Sequence, residues 1–252
     1  MGRVYLVASG KGGTGKTSVC AGVGAALAAR GKRILLIDCD IGMRNLDLVL
    51  GLSDGTALDL YDVALRGTPL MDAVVSHPAL PSLYLLSGPA LWPEQHPDQA
   101  QTAALRAEIT GAFDAVVVDA PAGLGTGFRL GCALCDEALL VTTPDLSAYR
   151  DAALTAGELR KRGLPCRLVI NRVQPGAVRR GDAADLDTVM DRVGAGLLGV
   201  IPEDPRVRAA GHRGELQGKA GRASAAQAFV NIAGRLSGQQ IPLMRLRRGG
   251  LL

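Results

Sequence analysis

The sequence predicts a single α/β domain in which a mostly parallel, twisted central sheet is covered by helices on both faces. Short apolar runs alternate with longer helical patterns along the whole chain, as expected for consecutive β-strand–helix–β-strand units. The apolar runs lack polar alternates, which is typical of strands buried on both faces. The chain has 252 residues, 48% of them hydrophobic and 21% charged, a composition that supplies a core and excludes a disordered chain.

The same patterns predict the position of each strand and helix along the chain. Strands are predicted where short runs are dominated by Val, Leu, Ile and Ala: Val4–Ala8, Ile34–Ile37, Leu83–Leu86, Ala115–Val118, Ala138–Thr142, Arg167–Ile170 and Leu197–Val200. Helices are predicted over the longer helical patterns: Lys16–Arg30, Asp98–Thr110, Ala148–Arg162, Asp185–Val193 and Ala223–Leu236. Gly31 and Gly163 suit the left-handed turn that ends a helix. The Gly-containing segments 87–97 and 206–222 are interpreted as surface loops of the same domain.

The charge distribution separates a near-neutral body from a basic end. Lys and Arg number 28 against 24 Asp and Glu, and Arg245, Arg247 and Arg248 supply three of the four excess positive charges. We therefore separate a folded domain, residues 1–238, from a short basic and apolar tail, residues 239–252, suited to an anionic membrane surface. Aromatic residues make up only 3%, which disfavours a module that stacks single-stranded bases.

Cysteine use and hydropathy indicate a protein of the reducing cytoplasm whose contact with a membrane is peripheral. The five cysteines, Cys20, Cys39, Cys132, Cys135 and Cys166, form no dense framework of the secreted kind. No segment approaches the roughly 20 apolar residues that span a bilayer. The apolar run near the N-terminus is too short for a signal peptide.

A phosphate-binding motif lies between the first strand and the first helix. Gly10-Lys11-Gly12-Gly13-Thr14-Gly15-Lys16-Thr17 matches G-x-x-x-x-G-K-[ST] in the strand–helix context that the motif requires. The glycines let backbone N–H groups point at phosphates, Lys16 reaches the β- and γ-phosphates, and the Thr17 hydroxyl can bind Mg²⁺. The fold class is therefore that of a P-loop nucleoside triphosphatase.

Three aspartates at strand ends are candidates for metal binding and catalysis. Asp119 closes a predicted strand and suits the metal shell of a nucleoside triphosphatase, and the turn after it brings Gly123, whose N–H suits a γ-phosphate. Asp38 and Asp40 end the second strand, where paired carboxylates suit metal–water coordination and orientation of an attacking water. A simple loop cap is the alternative for this pair.

A second lysine sets this phosphate loop apart. Lys11 would crowd its own phosphate site unless its long side chain carries the ammonium elsewhere, for instance to a nucleotide held by a second subunit. This position predicts a dimer with nucleotide at the interface. A solvated loop lysine is the alternative.

The chain resembles the MinD/ParA family of deviant phosphate-loop ATPases, and within it the members that determine the septum site in bacterial cell division. Three blocks carry the resemblance: the Lys-bearing loop at 10–17, the first switch at 38–47 and the second switch at 119–123. Similar segments at 171–173, 180–182 and 200–204 extend it to about residue 238. One departure is Gly125, where the division members usually carry an acidic residue.

The resemblance implies a role for each site residue. Lys11, Lys16, Asp38, Asp40 and Asp119 would be catalytic, with Lys11 crossing an ATP-sandwich dimer, and Thr17, Asp38 and Asp119 would surround Mg²⁺. Nucleotide contacts would come from Gly10, Lys11, Gly12, Gly13, Thr14, Gly15, Lys16, Thr17, Ser18, Gly123, Asn171, Arg172 and Pro202. Of these, Asn171 would read the adenine edge.

The resemblance also implies a working cycle and its partners. ATP would promote homodimerisation and attachment of the tail to the inner face of the cell membrane, although Pro242 and Gly249-Gly250 interrupt any helix there. A MinC-like division inhibitor would be recruited. A MinE-like or other topological factor would stimulate slow basal hydrolysis and so return the protein to the cytoplasm.

Four alternatives stay open at this point. A ParA-like DNA-partitioning ATPase would use a basic patch, for which the candidates are Arg206, Arg208, Arg213, Lys219 and Arg222. A flagellar-number regulator shares the blocks above, although such proteins commonly carry an N-terminal extension. An iron–sulfur carrier would use the Cys132–Cys135 pair, whose apolar surroundings favour a structural role instead. A nucleotide-binding scaffold without turnover is the fourth.

Overall fold

Eight strands form the central sheet: β1 (Arg3–Ala8), β2 (Ile34–Asp38), β3 (Val75–His77), β4 (Leu80–Leu86), β5 (Ala115–Asp119), β6 (Glu137–Thr142), β7 (Cys166–Val173) and β8 (Gly196–Pro202). The computed structural model describes residues 1–52, 57–91, 93–215 and 224–244, and within them the strand order is β3-β4-β2-β5-β1-β6-β7-β8. All neighbouring pairs are parallel except β3–β4. The predicted α/β domain with a mostly parallel sheet is confirmed, and β3 adds an unpredicted antiparallel edge.

Helices cover both faces of this sheet. They are α1 (Lys16–Ala28), α2 (Asn45–Leu50), α3 (Leu60–Arg66), α4 (Leu70–Ala73), α5 (Gln99–Ala112), α6 (Thr126–Leu134), α7 (Leu146–Lys161), α8 (Pro175–Arg180), α9 (Leu186–Val193), α10 (Pro205–Arg213) and α11 (Ala225–Leu236). One core packs α1, α2 and α11 against the sheet. A second lies under α3, α4, α5 and α6, and a third joins α7 and α9 to β6, β7 and β8.

The helix ends show where sequence patterns locate boundaries well and where they do not. Asp98 and Asp185, predicted as first helical residues, are the N-caps that accept from the N–H groups of Gln101 and Thr188. Gly31 and Gly163 have φ of 82° and 69°, which confirms them as left-handed stops. Residue 223, the predicted start of the last helix, lies outside the described residues.

The interpretation of 206–222 as a loop is wrong for its first part. Residues Pro205–Arg213 form α10, with Pro at the start of the helix and Asp204 as a cap that accepts from the Arg206 N–H. Proline is favoured in the first turn because its missing N–H has no intrahelical partner there. The Gly and Arg residues that follow this start signal are typical of a loop, which explains the wrong prediction. Residues 216–223 lie outside the described part of the chain.

The last described residues fold back onto the body. Arg235 donates to the carbonyl oxygens of Leu198, Ile241 and Pro242, each at 2.9 Å. A Cβ added at Gly234 would lie 2.3 Å from the Ile241 Cδ1, so this side chain packs directly on α11. The tail arginines at 245, 247 and 248 lie outside the described residues. Within the described ranges, no helix combines the length and apolar character that crossing a bilayer requires.

Candidate functional site

The strand order brings the predicted loop and acids to one edge of the sheet. β5 lies between β1 and β2, and the register pairs Asp38 with Asp119 at the carboxyl ends of their strands. The phosphate loop leaves the carboxyl end of β1 immediately beside them. Ligands of open parallel sheets bind outside these strand ends, so the topology assembles the two motifs into a single site.

The phosphate loop depends on its glycines for shape. Gly13 and Gly15 have φ of 79° and 89°, and Gly15 caps the start of α1. At Gly10, an added Cβ would lie 2.2 Å from the Asp151 carbonyl oxygen, so α7 closes against the loop there. The first N–H groups of a helix have no intrahelical acceptor. This end of α1 is therefore suited to a phosphate.

Asp38 is a buried carboxylate held by backbone donors. Its Oδ1 accepts from the Asp40 N–H at 2.8 Å and its Oδ2 accepts from the Leu46 N–H at 3.1 Å. Burial raises the pKa of Asp38 to about 6, against the opposing effect of these two hydrogen bonds. The Leu46 bond also ties the first switch to the end of β2.

Asp119 is buried and less well compensated than Asp38. Burial first, and then the neighbouring Asp38, raise the pKa of Asp119 to about 8, while hydrogen bonding with Thr17 and the charge of Lys16 act in the opposite direction. Its Oδ1 is buried without a hydrogen-bond partner. A buried carboxylate oxygen in that state fits a hard cation such as Mg²⁺, which prefers oxygen ligands.

Lys16 and Asp40 complete the charged centre. Burial lowers the pKa of Lys16, and the charges of Asp119 and Asp40 oppose that shift. Asp40 has a raised pKa through burial, opposed by Lys16 and by a hydrogen bond with the Asn45 side chain. Asn45 was not among the predicted site residues, although it lies inside the first-switch block, which was the available signal.

The acids in this centre need further oxygens to hold a metal. In the parts of the chain that the structure describes, no group of three or more His, Cys, Asp or Glu side chains is arranged around a metal position. Thr17, Asp38 and Asp119 can contribute ligands, and Mg²⁺ commonly takes others from substrate phosphates and water. The arrangement therefore suits a metal that arrives with a nucleotide.

Lys11 is turned away from this centre. Its Nζ donates to the Ser147 Oγ at 2.8 Å, at the start of α7. Both residues line an open cavity of about 500 Å³ together with Asp145, Arg172 and Asp182. Ser147 was not predicted, because 136 residues separate it from Lys11 and no local pattern marks it.

A second cavity, of about 300 Å³, lies behind the phosphate loop. Its lining includes the predicted binding residues Gly15, Thr17, Ser18, Asn171, Arg172 and Pro202. The Asn171 side chain is used inside the protein: its Nδ2 donates to the Thr14 carbonyl at 2.8 Å and its Oδ1 accepts from the Arg172 N–H at 2.9 Å. The adenine contact proposed for Asn171 stays a prediction.

The second switch continues from Asp119 into a turn. Gly123 has φ of 83°, a conformation that favours glycine, and Gly125 is the N-cap of α6 with φ of −71° and no side-chain cap. The end of α6 carries the Cys132–Cys135 pair. All five cysteines are free, and burial raises the pKa of both thiols of the pair, to about 11 for Cys132.

Comparison with known proteins points to one group of nucleotide-binding domains. Residues 5–217 match the family described as CobQ/CobB/MinD/ParA nucleotide binding domain. The septum site-determining protein MinD of Synechocystis is 37% identical over 246 residues, covering 97% of this chain and 92% of that protein. The MinC:MinD cell division protein complex of Aquifex aeolicus includes a chain 35% identical, with a TM-score of 0.88 and coverage of 97% and 99%. MinD complexed with Mg-ADP from Pyrococcus horikoshii is 32% identical, with a TM-score of 0.80 and coverage of 94% and 96%.

Proposed function

Because the chain belongs to the CobQ/CobB/MinD/ParA family of nucleotide-binding domains, we propose that it is an ATP-dependent dimerising ATPase that acts as a membrane-associated spatial switch in division-site selection. The observation that carries this proposal is the buried pair Asp38–Asp119 beside Lys16 at the phosphate loop. The septum site-determining relatives support the cellular role. Its location would be the cytoplasm, with peripheral attachment to the inner face of the membrane in the ATP state.

We infer hydrolysis from the charged groups at the carboxyl edge of the sheet, the side on which the parallel strands end. Lys16 and the N-terminus of α1 would hold the β- and γ-phosphates, and Asp38 and Asp40 would orient the attacking water. Thr17, Asp38 and Asp119 would hold Mg²⁺, which would supply positive charge for the phosphates. The site would convert ATP and water to ADP and phosphate, and a partner would accelerate this turnover.

Dimerisation is proposed to use Lys11. Its ammonium is exposed and contacts Ser147, away from the loop that carries it. A second copy docked on the open cavity would place a nucleotide within reach of this long, flexible cation. The resulting dimer would hold nucleotide between two subunits.

Replacement of Lys11 tests the sandwich dimer. Lys11→Ala is expected to weaken ATP-dependent dimerisation by more than about tenfold, since one charge-assisted phosphate contact is removed from each of two sites. Light scattering across a concentration series, in ATP and in ADP, measures this change. Lys161→Ala is the matched control, because Lys161 is a highly exposed lysine at the far end of α7. Intact dimerisation and intact turnover in Lys11→Ala would refute the role.

Two protein partners are part of the proposal. One solved relative is a MinC:MinD complex, so a MinC-like division inhibitor is the expected cargo of the ATP dimer. A MinE-like or other topological factor is the expected stimulator of hydrolysis. Turnover that rises on addition of such a factor would distinguish the enzyme from a nucleotide-binding scaffold.

The membrane step is proposed to depend on doubling the basic tail. Each basic residue near an anionic leaflet contributes about 1 kcal/mol, so three arginines give roughly 3 kcal/mol, which is about a hundredfold in partitioning. A dimer carries two tails and reaches roughly 6 kcal/mol before linker costs. Dimerisation by ATP would therefore switch weak attachment to firm attachment.

Co-sedimentation with anionic vesicles tests the membrane step. The full chain is compared in ATP and ADP with a chain ending at Met244, which keeps the segment that packs on α11. A tail variant, Arg245→Gln with Arg247→Gln and Arg248→Gln, is matched with Arg30→Gln, Arg179→Gln and Arg192→Gln, which remove the same charge from exposed positions of the body. Binding only in ATP, lost in the tail variant and kept in the control, is expected. An ATP dimer that ignores vesicles would overturn the membrane step.

DNA partitioning is the second candidate, and two arginines of its basic patch are paired with acids, whereas Arg208 is exposed. Arg206 makes two hydrogen bonds to Asp204, at 2.9 and 2.8 Å, and Arg213 pairs with Glu215. Lys219 and Arg222 lie outside the described residues. Double-stranded DNA is therefore the parallel target in the sedimentation experiment. ATP-dependent DNA binding that falls with salt, without vesicle binding, would favour partitioning.

A further inference from the structure

We propose that Asn171 is a positioning residue that braces the phosphate loop from β7, and that it acts on the phosphates of the nucleotide through Thr14 and Gly15. The inference rests on the proposed nucleotide-binding function and adds a residue role to it. The family resemblance implies an adenine contact for the same side chain, so an experiment can distinguish the two roles.

The first support is the hydrogen bonding of the Asn171 amide. Its Nδ2 donates to the Thr14 carbonyl across 157 residues of sequence, in a buried position, and its Oδ1 accepts from the Arg172 N–H. A buried amide with both ends satisfied has a fixed orientation. Asn171 therefore fixes one peptide group of the loop relative to the sheet.

The second support is the close approach of Gly15. A Cβ added to Gly15 would lie 2.4 Å from the Asn171 Nδ2, so only glycine lets the amide reach the loop. The left-handed φ of 89° at Gly15 is part of the same arrangement. In a trans peptide the C=O and the following N–H point in opposite directions. Holding the Thr14 carbonyl toward Asn171 therefore turns the Gly15 N–H away from β7, which leaves it to meet a phosphate.

The third support is the backbone distortion that accompanies the contact. Arg172 has φ of 55°, one of two non-glycine residues with positive φ among those described. The register of β7 against β8 also shifts between Ile170 and Val173. Non-glycine residues in this conformation persist where surrounding contacts hold them, and the Arg172 N–H bonded to Asn171 is such a contact. The distortion therefore lies at the point of β7 from which Asn171 contacts the loop.

Two Asn171 variants separate bracing from adenine reading. Asn171→Leu keeps a neutral side chain of similar size but loses the donor to Thr14 and the acceptor for Arg172, and Asn171→Ala removes the side-chain volume as well. Binding is measured for Mg-ATP, Mg-GTP and Mg-tripolyphosphate, at a temperature where circular dichroism shows each variant folded. Bracing predicts that the affinities for all three ligands fall together, by about three- to tenfold for the loss of the hydrogen bond to Thr14. Asn231→Ala, on α11 with its Oδ1 bonded to Gln227, is the matched control.

Other outcomes overturn the inference. Loss of ATP affinity with unchanged tripolyphosphate affinity would show that Asn171 reads the base, and unchanged affinity for all ligands would show that the loop needs no brace. If the unsubstituted chain binds no Mg-ATP, the proposed function fails first, and that result is separate from the variants.

A measurement on the unsubstituted chain covers variants that do not fold. The Nδ2 hydrogens of Asn171 lie beside Gly15, so NMR is expected to show a nuclear Overhauser contact between this amide and Gly15, with and without Mg-ATP. A contact to the adenine protons that replaces the Gly15 contact when ATP binds would overturn the bracing role.

Discussion

At the amino edge of the sheet, where the parallel strands begin, the acids are paired with arginines, whereas at the carboxyl edge, where the parallel strands end, two buried acids face each other. Glu137, at the start of β6, is ion-paired with Arg167 and lies 3.8 Å from Arg3. Asp136 pairs with Arg106 and accepts from the Val4 N–H at 2.8 Å. Each of these acids has a cation from the protein itself.

The carboxyl edge leaves its charge only partly compensated. Asp38 has two backbone donors, and Asp119 has a buried oxygen with no partner. Lys16 contributes positive charge, but burial lowers its pKa. Uncompensated buried charge costs free energy unless a partner arrives. The difference indicates that the amino edge holds the fold together while the carboxyl edge is kept for a ligand that brings a cation.

Replacing one acid at each edge by its amide should change the free energy of unfolding in opposite directions. This pair of substitutions has the largest expected effects. Asp119→Asn is expected to lower ATP hydrolysis by roughly a hundredfold or more, because the charge that organises the transition state is removed. The same change should raise the free energy of unfolding of the nucleotide-free protein by about 1–2 kcal/mol, because a neutral amide removes the free-energy cost of protonating a buried carboxyl group on folding. Steady-state phosphate release and urea unfolding measure the two effects.

Glu137→Gln is the matched change at the amino edge. It leaves Arg167 and Arg3 without their carboxylate, so the free energy of unfolding should fall by about 2 kcal/mol. Hydrolysis per folded molecule should stay close to that of the unsubstituted chain. If Asp119→Asn destabilises the protein as much as Glu137→Gln does, the acids of both edges stabilise the fold and the carboxyl edge is not specialised for a ligand.

The pH dependence of stability sharpens the same comparison. The pKa of Asp119 is about 8 in the folded chain and that of an ordinary Asp is 3.8, so between these values the folded state holds a proton that the unfolded state has released. Stability therefore falls as pH rises through this window and the contribution is lost above about pH 8. The Asp38 pKa of about 6 adds to the fall at lower pH. Without Mg²⁺ or nucleotide, we expect a loss of about 2 kcal/mol from pH 6 to pH 8.

Urea unfolding at pH 6, 7 and 8 in a chelator measures this loss. Asp119→Asn removes the titrating group and should flatten the dependence, while Glu137→Gln should keep the slope. The lowered pKa of His77 favours stability as pH rises, so the difference between the two variants isolates Asp119. Stability of the unsubstituted chain that stays constant or rises over this range would contradict the assignment.

The sequence predicts the carboxyl edge better than the contacts that support it. Lys16, Asp38 and Asp119 lie within short motifs at strand ends, and parallel strands bring such ends together. The contacts of Lys11 with Ser147 and of Asn171 with Thr14 join residues 136 and 157 positions apart. A hydrogen bond between residues so far apart in the sequence leaves no local sequence pattern. A helix as short as α2, with six residues, has too few turns to show a helical period in the sequence.

The smallest expected effect concerns two glycines of the second switch. Gly125 is the N-cap of α6, with φ of −71° and open space where a Cβ would be. Gly125→Asp should add a side-chain acceptor for the first turn of α6 and raise the free energy of unfolding by about 0.5 kcal/mol, because Gly is already a tolerable cap. Gly123→Asp is the same substitution two positions earlier, where φ is 83°.

The pair tests whether backbone conformation or added charge decides the outcome. Asp at 123 must adopt a left-handed conformation that glycine takes freely, so it should lower the free energy of unfolding by about 1 kcal/mol. Both variants add one negative charge near Asp119, so a purely electrostatic effect would destabilise both. Thermal unfolding at pH 7 without nucleotide compares them. A loss of stability in Gly125→Asp equal to that in Gly123→Asp would mean that charge crowding at the carboxyl edge outweighs helix capping.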